Sequence, residues 1–315
     1  MKLAVPLTAP GEAALLYGAG ATEFYCGLQT PEWQEAFGDH DSISRRQGAA
    51  NLSALDTLNT LVAESAKLDS PIFLTVNGSY TREQLPMAAK ITAEFEDMGG
   101  TGIMVADIGL LSLLKKKGSK LIRGLSLLAA AGSSAALTFY RALGVTRVVF
   151  PRFLQPGQIS VIMKAHPNVQ AECIVWLDKC RCIDGYCRFL HAVGYRDAPD
   201  NAGNDLPTVF THDTTYQWPA CFELFGKPPA LPACAACSLR ALAAAGVTVF
   251  KMGGRGRPIE PRLTGARFLS LAYKLAGVDT GGDADYTAIK EEYARLFGRR
   301  CEPSVCYYAE SAGVL

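Results

Sequence analysis

A (β/α)8 barrel, TIM-barrel-like and with room for irregularity, is the fold class this sequence predicts, and three observations carry it. Eight short β-rich runs recur along 315 residues, amphipathic stretches separate several of them, and no clear break divides them into domains. Parallel strands joined by helical crossovers connect right-handedly, which leaves a closed barrel or an open doubly wound sheet. Eight strands favour the barrel. The near-continuous apolar character of the strands fits a sheet covered on both faces.

The first strand is "KLAVPL", and the second is "EFYCGL" from Glu23. Arg45 and Arg46 in "SISRRQG" fall in the following loop, where a guanidinium fork suits a carboxylate or phosphate. The third strand, "PIFLTVN" from Pro71, ends on Asn77, and "LPMAAKITAEFEDMGG" then reads as a helix closing on glycines. "GIMVAD" from Gly102 ends on Asp107 and leads into the helix "IGLLSLLKKKGSK". After "LIRGLSL" from Leu121, the helix "SSAALTFYRALGV" opens on serines that can cap it. "RVVFPRF" from Arg147 carries Arg152 at its end, and "QAECIVW" from Gln170 opens into a long irregular segment. The eighth strand, "VTVFKMGG" from Val247, runs into "GGRGRP", whose glycine amides can cradle a phosphate beside Arg255 and Arg257. Strand C-terminal ends are where such barrels carry chemistry. Asn77, Asp107 and Arg152 are therefore the candidate catalytic residues, with Arg45 and Arg255 as candidate ligand-binding residues. Residues 1–258 form the expected barrel domain, including a cysteine-rich loop at 177–237. Residues 259–315 form a helical tail packed on it.

The formal net charge of +1 gives no global reason to expect nucleic acid or a membrane surface. No run approaches the ~18 uninterrupted apolar residues of a membrane span. Pro6, Pro10 and Glu12 interrupt what would be the apolar core of a signal peptide. The expected compartment is the cytoplasm, where thiols stay reduced and clustered cysteines favour metal or catalysis over disulfides. No G-x-S-x-G or H-E-x-x-H occurs, and His40, His166, His191 and His212 have no ligand spacing.

Of ten cysteines, Cys26 and Cys173 fall inside apolar strands and read as core. Cys180, Cys182 and Cys187 lie in "CRCIDGYC", Cys221 in "QWPACFE", and Cys234 and Cys237 in "CAAC". A loop bracketed by thiols at both ends, with one inside, supplies what a four-thiolate site needs. Zinc and a [4Fe–4S] cluster both accept four cysteines, and spacing leaves the two even. Cys301 and Cys306 in "CEPSVC" read as packing of the tail.

The order "APGEAALLYGAGATEFYCGL", "FLTVNG", "IMVADIGLLSLL", "GVTRVVFPRFL", "AECIVWLDKCRCIDGYC" and "CSLRALAAAGVTVFKMGGRGRP" resembles peptidase family U32, from about residue 5 to residue 258. The resemblance implies oxygen-independent hydroxylation, of ubiquinone precursors or RNA bases, more than peptide hydrolysis. It implies a [4Fe–4S] cluster on Cys180, Cys187, Cys221 and either Cys234 or Cys237, a small-molecule or RNA substrate, an electron donor, and a paralogue as heterodimer partner. An arginine in the loop after the second strand also matches the family. Three departures stand against RNA-base chemistry: Gly254 replaces a glutamate, Trp176 a histidine and Leu128 a glutamine. The rival readings are a zinc-stabilised RNA- or protein-binding module, with Tyr216 and Trp218 as stacking surfaces, and a cysteine peptidase or hydrolase.

Overall fold

The computed structural model describes residues 1–38, 43–44, 46, 48–177, 185 and 232–308. Eight strands close into one parallel barrel in sequence order. They are β1 (Lys2–Pro6), β2 (Glu23–Gly27), β3 (Ile72–Val76), β4 (Gly102–Val105), β5 (Ile122–Leu125), β6 (Val145–Val149), β7 (Gln170–Trp176) and β8 (Val247–Met252). Seven fall within runs expected from the sequence, and β6 begins two residues before its run, at Val145. β2, β3 and β4 are buried along their whole length, as strands covered on both faces must be.

Around the barrel lie α1 (Glu12–Gly18), α2 (Pro31–Phe37), α3 (Leu55–Lys67), α4 (Leu85–Asp97), α5 (Ile108–Lys117), α6 (Ser134–Ala142) and α7 (Pro156–Ala165). After the long segment come α8 (Leu239–Ala244), α9 (Ile259–Leu275) and α10 (Tyr286–Phe297). Ser133 caps α6 by accepting from the Ala136 amide at 3.2 Å, as its sequence suggests. Gly118 ends α5 in the left-handed conformation, which glycine adopts without steric cost. No helix among the described residues is long and apolar enough to cross a membrane.

The barrel interior holds a feature that apolar patterning conceals. Glu23 of β2, Arg147 of β6, Glu172 of β7 and Lys251 of β8 are all buried. Arg147 Nη2 reaches Glu23 at 2.5 Å, and its Nε donates to Glu172 at 2.5 Å. Lys251 Nζ donates to the other Glu172 oxygen at 2.8 Å. β2 and β6 stand on opposite sides of the ring, so the Glu23–Arg147 pair crosses the interior. Aromatic faces complete the lining: Lys251 lies 4.1 Å from the Tyr25 ring centroid and Arg147 lies 4.5 Å from that of Phe73. Burial pushes the Glu172 carboxyl up, but Arg147 and Lys251 outweigh it and hold the group below its usual range.

A second buried cation joins the barrel's ends. Arg262 of α9 is 1% exposed and donates to the Pro6 carbonyl, the Thr8 hydroxyl and the Glu12 carboxylate, each at 2.8 Å. Burial raises Glu12, yet hydrogen bonds from Arg262 and the Thr8 amide bring it below its ordinary value of 4.5. A carboxyl lowered by folding stabilises the folded state above its unfolded pKa, and that contribution is lost as pH falls through the folded value. Urea stability is therefore expected to decline once the pH drops below about 4.5. Arg262→Met should show a shallower acid decline. Parallel acid profiles for the two chains would refute the assignment.

The last turn of the molecule packs against β7. Trp176, 1% exposed, meets Phe268 of α9 and Tyr293 and Phe297 of α10, at ring-centroid distances of 5.2, 6.3 and 5.6 Å. α8 is only six residues long. Residues 301–308 lie alongside residues 234–238: the Cys234 amide donates to Val305, and the Tyr307 amide donates back to Cys234. Tyr307 also donates its hydroxyl to the Leu177 carbonyl.

Candidate active-site mouth

The C-terminal strand ends and their loops form the mouth, and Arg255 is its best-anchored side chain. It leaves the chain three residues after β8 and is 8% exposed. Its Nη1 donates to Thr75 Oγ1 at 2.5 Å and to Asn51 Oδ1 at 3.4 Å, while Nη2 donates to Ser44 Oγ at 3.2 Å. Thr75 passes its own proton to the Cys26 carbonyl at 2.9 Å. The guanidinium thus bridges β3 and the loop after β2. It can lie there because residue 27 is glycine: a Cβ at that position would collide with Arg255 and with Asn51.

The other expected residues take separate places around the strand ends. Asn77 Nδ2 donates to Ser126 Oγ at 3.1 Å, joining the ends of β3 and β5 at the mouth. Asp107 caps α5, accepting from Leu110 N at 2.8 Å, and its second oxygen accepts from Tyr80 N at 3.2 Å. Its carboxylate is thereby held by two backbone amides. Arg152, half-buried beyond β6, lies near the tail, where its charge offsets part of the rise that burial imposes on the Tyr308 hydroxyl. Arg46 accepts through its carbonyl from Asn51 Nδ2 at 2.6 Å, whereas Arg45 lies outside the described residues.

Of the segment "CRCIDGYC", Gly185 is the described residue. It lies against Leu128 and Ala130: a Cβ there would come within 3.0 Å of the Ala130 methyl and collide with the Leu128 carbonyl oxygen. Leu128 sits in the 3-10 turn Leu127–Ala129 just after β5, so Gly185 rests on the mouth. Cys180, Cys182, Cys187 and Cys221 lie outside the described residues, as do His40, His191, His212, Tyr216 and Trp218. Cys234 and Cys237 are described, and their neighbours are Cys301 and Cys306. Among the described residues no group of three or more His, Cys, Asp or Glu stands in metal-holding geometry.

The departures from the family pattern have local reasons. Gly254 has φ +108°, a conformation that L side chains rarely adopt, and a Cβ there would press on Leu177 at 3.1 Å. The backbone at that point is suited to glycine, not glutamate. Trp176 fills an apolar box, and Gly265 of α9 makes room for its indole. A polar recess of about 300 Å³ lies beside β8's end, lined by Thr8, Ala49, Gly256, Arg257, Ile259 and Arg262. It contains the "GGRGRP" turn.

Sequence reading passed over Glu23, Arg147, Glu172 and Lys251. The signal was present: a charged residue inside a strand buried on both faces needs a buried partner.

Comparison with known proteins places the chain. The family profile described as Peptidase family U32 matches residues 10–205, more than half of its length. The tRNA hydroxylation protein P of Haemophilus influenzae is 25% identical over 136 residues, 43% of this chain and 30% of that protein. Its Escherichia coli counterpart is 24% identical over 142 residues, 45% of this chain and 31% of that protein. The chain therefore spans under a third of either curated relative. The solved structure "The Structure of the U32 Peptidase Mk0906" shares the fold, with a TM-score of 0.53 at 11% identity, covering 82% of this chain and 94% of that one. The chain belongs to peptidase family U32.

Proposed function

We propose that this chain is a cytoplasmic iron–sulfur protein that takes part in oxygen-independent hydroxylation, or related redox chemistry, on an RNA base or small molecule. One observation supports the reading: Gly185, within "CRCIDGYC", lies at the barrel mouth beside Leu128. The donor set fits, because thiolates are the ligands that iron–sulfur clusters require. Cys180, Cys187 and Cys221 would hold a [4Fe–4S] cluster, with a fourth thiolate from Cys234 or Cys237. Such a cluster supplies electron transfer or structural support when fully ligated by protein.

The chain's own residues would frame the substrate. Arg255 fixes the floor of the mouth across β3 and the loop after β2, and Asn77 presents its carboxamide beside Ser126. Asp107 shapes the rim by capping α5. Arg152 and Arg45 supply positive charge suited to an anionic substrate. The relatives named as tRNA hydroxylation proteins support an RNA substrate. An electron donor and a paralogous partner would complete the system. Cys26 and Cys173 do not suit the rival hydrolytic reading, because burial pushes their thiols up to about 12, far from the low value a nucleophilic thiolate needs.

The test is purification without oxygen, followed by iron and sulfide analysis and a visible spectrum. About four irons and four sulfides per chain, with broad absorption near ~400 nm, are expected. Cys180→Ser and Cys187→Ser should each bleach it. Colourless protein without iron would sink the reading.

A further inference from the structure

The cysteine-bearing segment leaves the barrel at one stem and returns at another, and the C-terminal segment holds both stems. β7 runs out through Trp176 to Leu177, and the described chain resumes at Pro232. The Leu177 amide donates to the Ala233 carbonyl and the Ala235 amide to the Val175 carbonyl, each at 2.9 Å, so the stems pair antiparallel. The C-terminal segment lies along the returning stem. The Cys234 amide donates to Val305 at 2.9 Å, and the Tyr307 amide donates to Cys234 at 3.0 Å. The Tyr307 hydroxyl reaches the Leu177 carbonyl on the outgoing stem. Val305, Tyr307 and Tyr308 are buried, which seats this strap.

Those backbone bonds make Cys234 and Cys306 direct partners of a parallel bridge. Neighbouring strands lie about 4.8 Å apart, and partner residues project to the same side. A disulfide needs Cα atoms about 4.4–6.8 Å apart, so the pair stands within reach of one with the fold unchanged. Both thiols are half-buried, open enough for a small reagent.

We propose that Cys234 and Cys306 are an oxidation site, forming a reversible disulfide that locks the C-terminal strap across both stems. The oxidant is a small-molecule disulfide of the glutathione class. One protein thiolate attacks it, forms a mixed disulfide and releases one small thiol; the second protein thiolate attacks that sulfur and expels the other. Two protein S–H bonds are lost and one S–S bond forms, while the two electrons and two protons leave on the two small thiols. In a reducing compartment such a bond is transient and redox-sensing, not a permanent staple.

Cross-links that close long loops restrict the unfolded chain most, and this one closes about seventy residues, from α8 to α10. It also steadies Leu177, the residue before "DKCRCIDGYC", through Tyr307. Oxidation therefore stiffens the base of the segment assigned to the cluster and withdraws Cys234 from its ligands, leaving Cys237. That consequence rests on the cluster reading; the cross-link does not.

The test incubates the full chain, purified without oxygen, in glutathione buffers of rising disulfide content. Remaining thiols are then alkylated and mapped by mass spectrometry. Two thiols should disappear together, a peptide carrying Cys234 should be joined to one carrying Cys306, and dithiothreitol should restore both. Cys234→Ser and Cys306→Ser should each abolish the cross-link, while Cys237→Ser and Cys301→Ser keep it. Hydrogen exchange at the Cys234 and Tyr307 amides should slow by at least about 10-fold in the oxidised chain, because a cross-linked strap opens only with the domain. Cys306→Ser should keep the far-ultraviolet circular dichroism of the unaltered chain, which separates loss of the bond from loss of the fold. A cross-link that survives in Cys306→Ser, a Cys234–Cys237 or Cys301–Cys306 bond in its place, or mixed disulfides that never resolve would each overturn the proposal. Iron is counted on the same samples. A cross-link without iron defeats the cluster alone, and iron without a cross-link defeats the strap alone.

Discussion

Glu172→Ala is expected to destabilise the folded chain by about 3–5 kcal/mol, the loss seen when one partner of a buried ion pair is removed. Glu172 has no exposed surface and is the hinge of the interior network, with one oxygen toward Arg147 and the other toward Lys251. Its removal strands two cations inside the barrel. They keep Glu23 as a counterion, but that carboxyl is already raised by burial and is the weaker partner. Ordinary domains are stable by only about 5–15 kcal/mol, so the variant should sit close to unfolding. Glu172→Gln retains the shape and some hydrogen bonding and should fall between it and the unaltered chain. Urea midpoints for the three decide. A Glu172→Ala chain within about 1 kcal/mol of the unaltered one would show that the network is not a unit.

The second large effect belongs to the mouth. Gly27→Ala introduces a methyl into space held by the Arg255 guanidinium, and overpacking of this kind costs about 1–3 kcal/mol. Displacing Arg255 also breaks its bonds to Thr75, Ser44 and Asn51, so the total should reach the upper end of that range or pass it. A double-mutant cycle isolates the cause. With Arg255→Ala already in place, Gly27→Ala should cost at least about 1 kcal/mol less than it does alone, because neighbours in contact couple at that scale. Additive costs would mean that residue 27 is glycine for another reason, such as the Asn51 side chain or the Ala50 carbonyl.

The barrel was legible because its strands write burial into sequence directly. "IFLTV" and "GIMV" admit almost nothing polar, and their helices end on glycines such as Gly118, whose positive φ has a clear signature. The interior network was harder to see. Glu23 and Lys251 sit at strand ends, where a charge passes as the beginning or end of a loop, and only closure of the ring brings β2 opposite β6. Asp107 illustrates the reverse problem. An acid at a strand end before a helix serves equally as a site residue or an N-cap, and here it caps α5. Arg255 was picked out as a mouth residue, but its bonds to Thr75 of β3 and to Ser44 and Asn51 of the loop after β2 depend on a path past Gly27 that spacing does not encode. The tail pair Cys301 and Cys306 was read as packing, and the bonds between Val305, Tyr307 and Cys234 hold that segment against the barrel, but which upstream residues it meets is beyond what local pattern encodes.

The brace from Glu23 to Arg147 bears on how the chain assembles. Divided between β4 and β5, the barrel would yield a first half holding one acid and a second half holding Arg147, Glu172 and Lys251. Neither half would contain a balanced set of charges, and each would have to bury an uncompensated ion to complete its own sheet. During synthesis the amino-terminal strands therefore have no settled interior until β6 has emerged, more than a hundred residues later. Half-barrels should be poor resting states, and ring closure should proceed as one cooperative event.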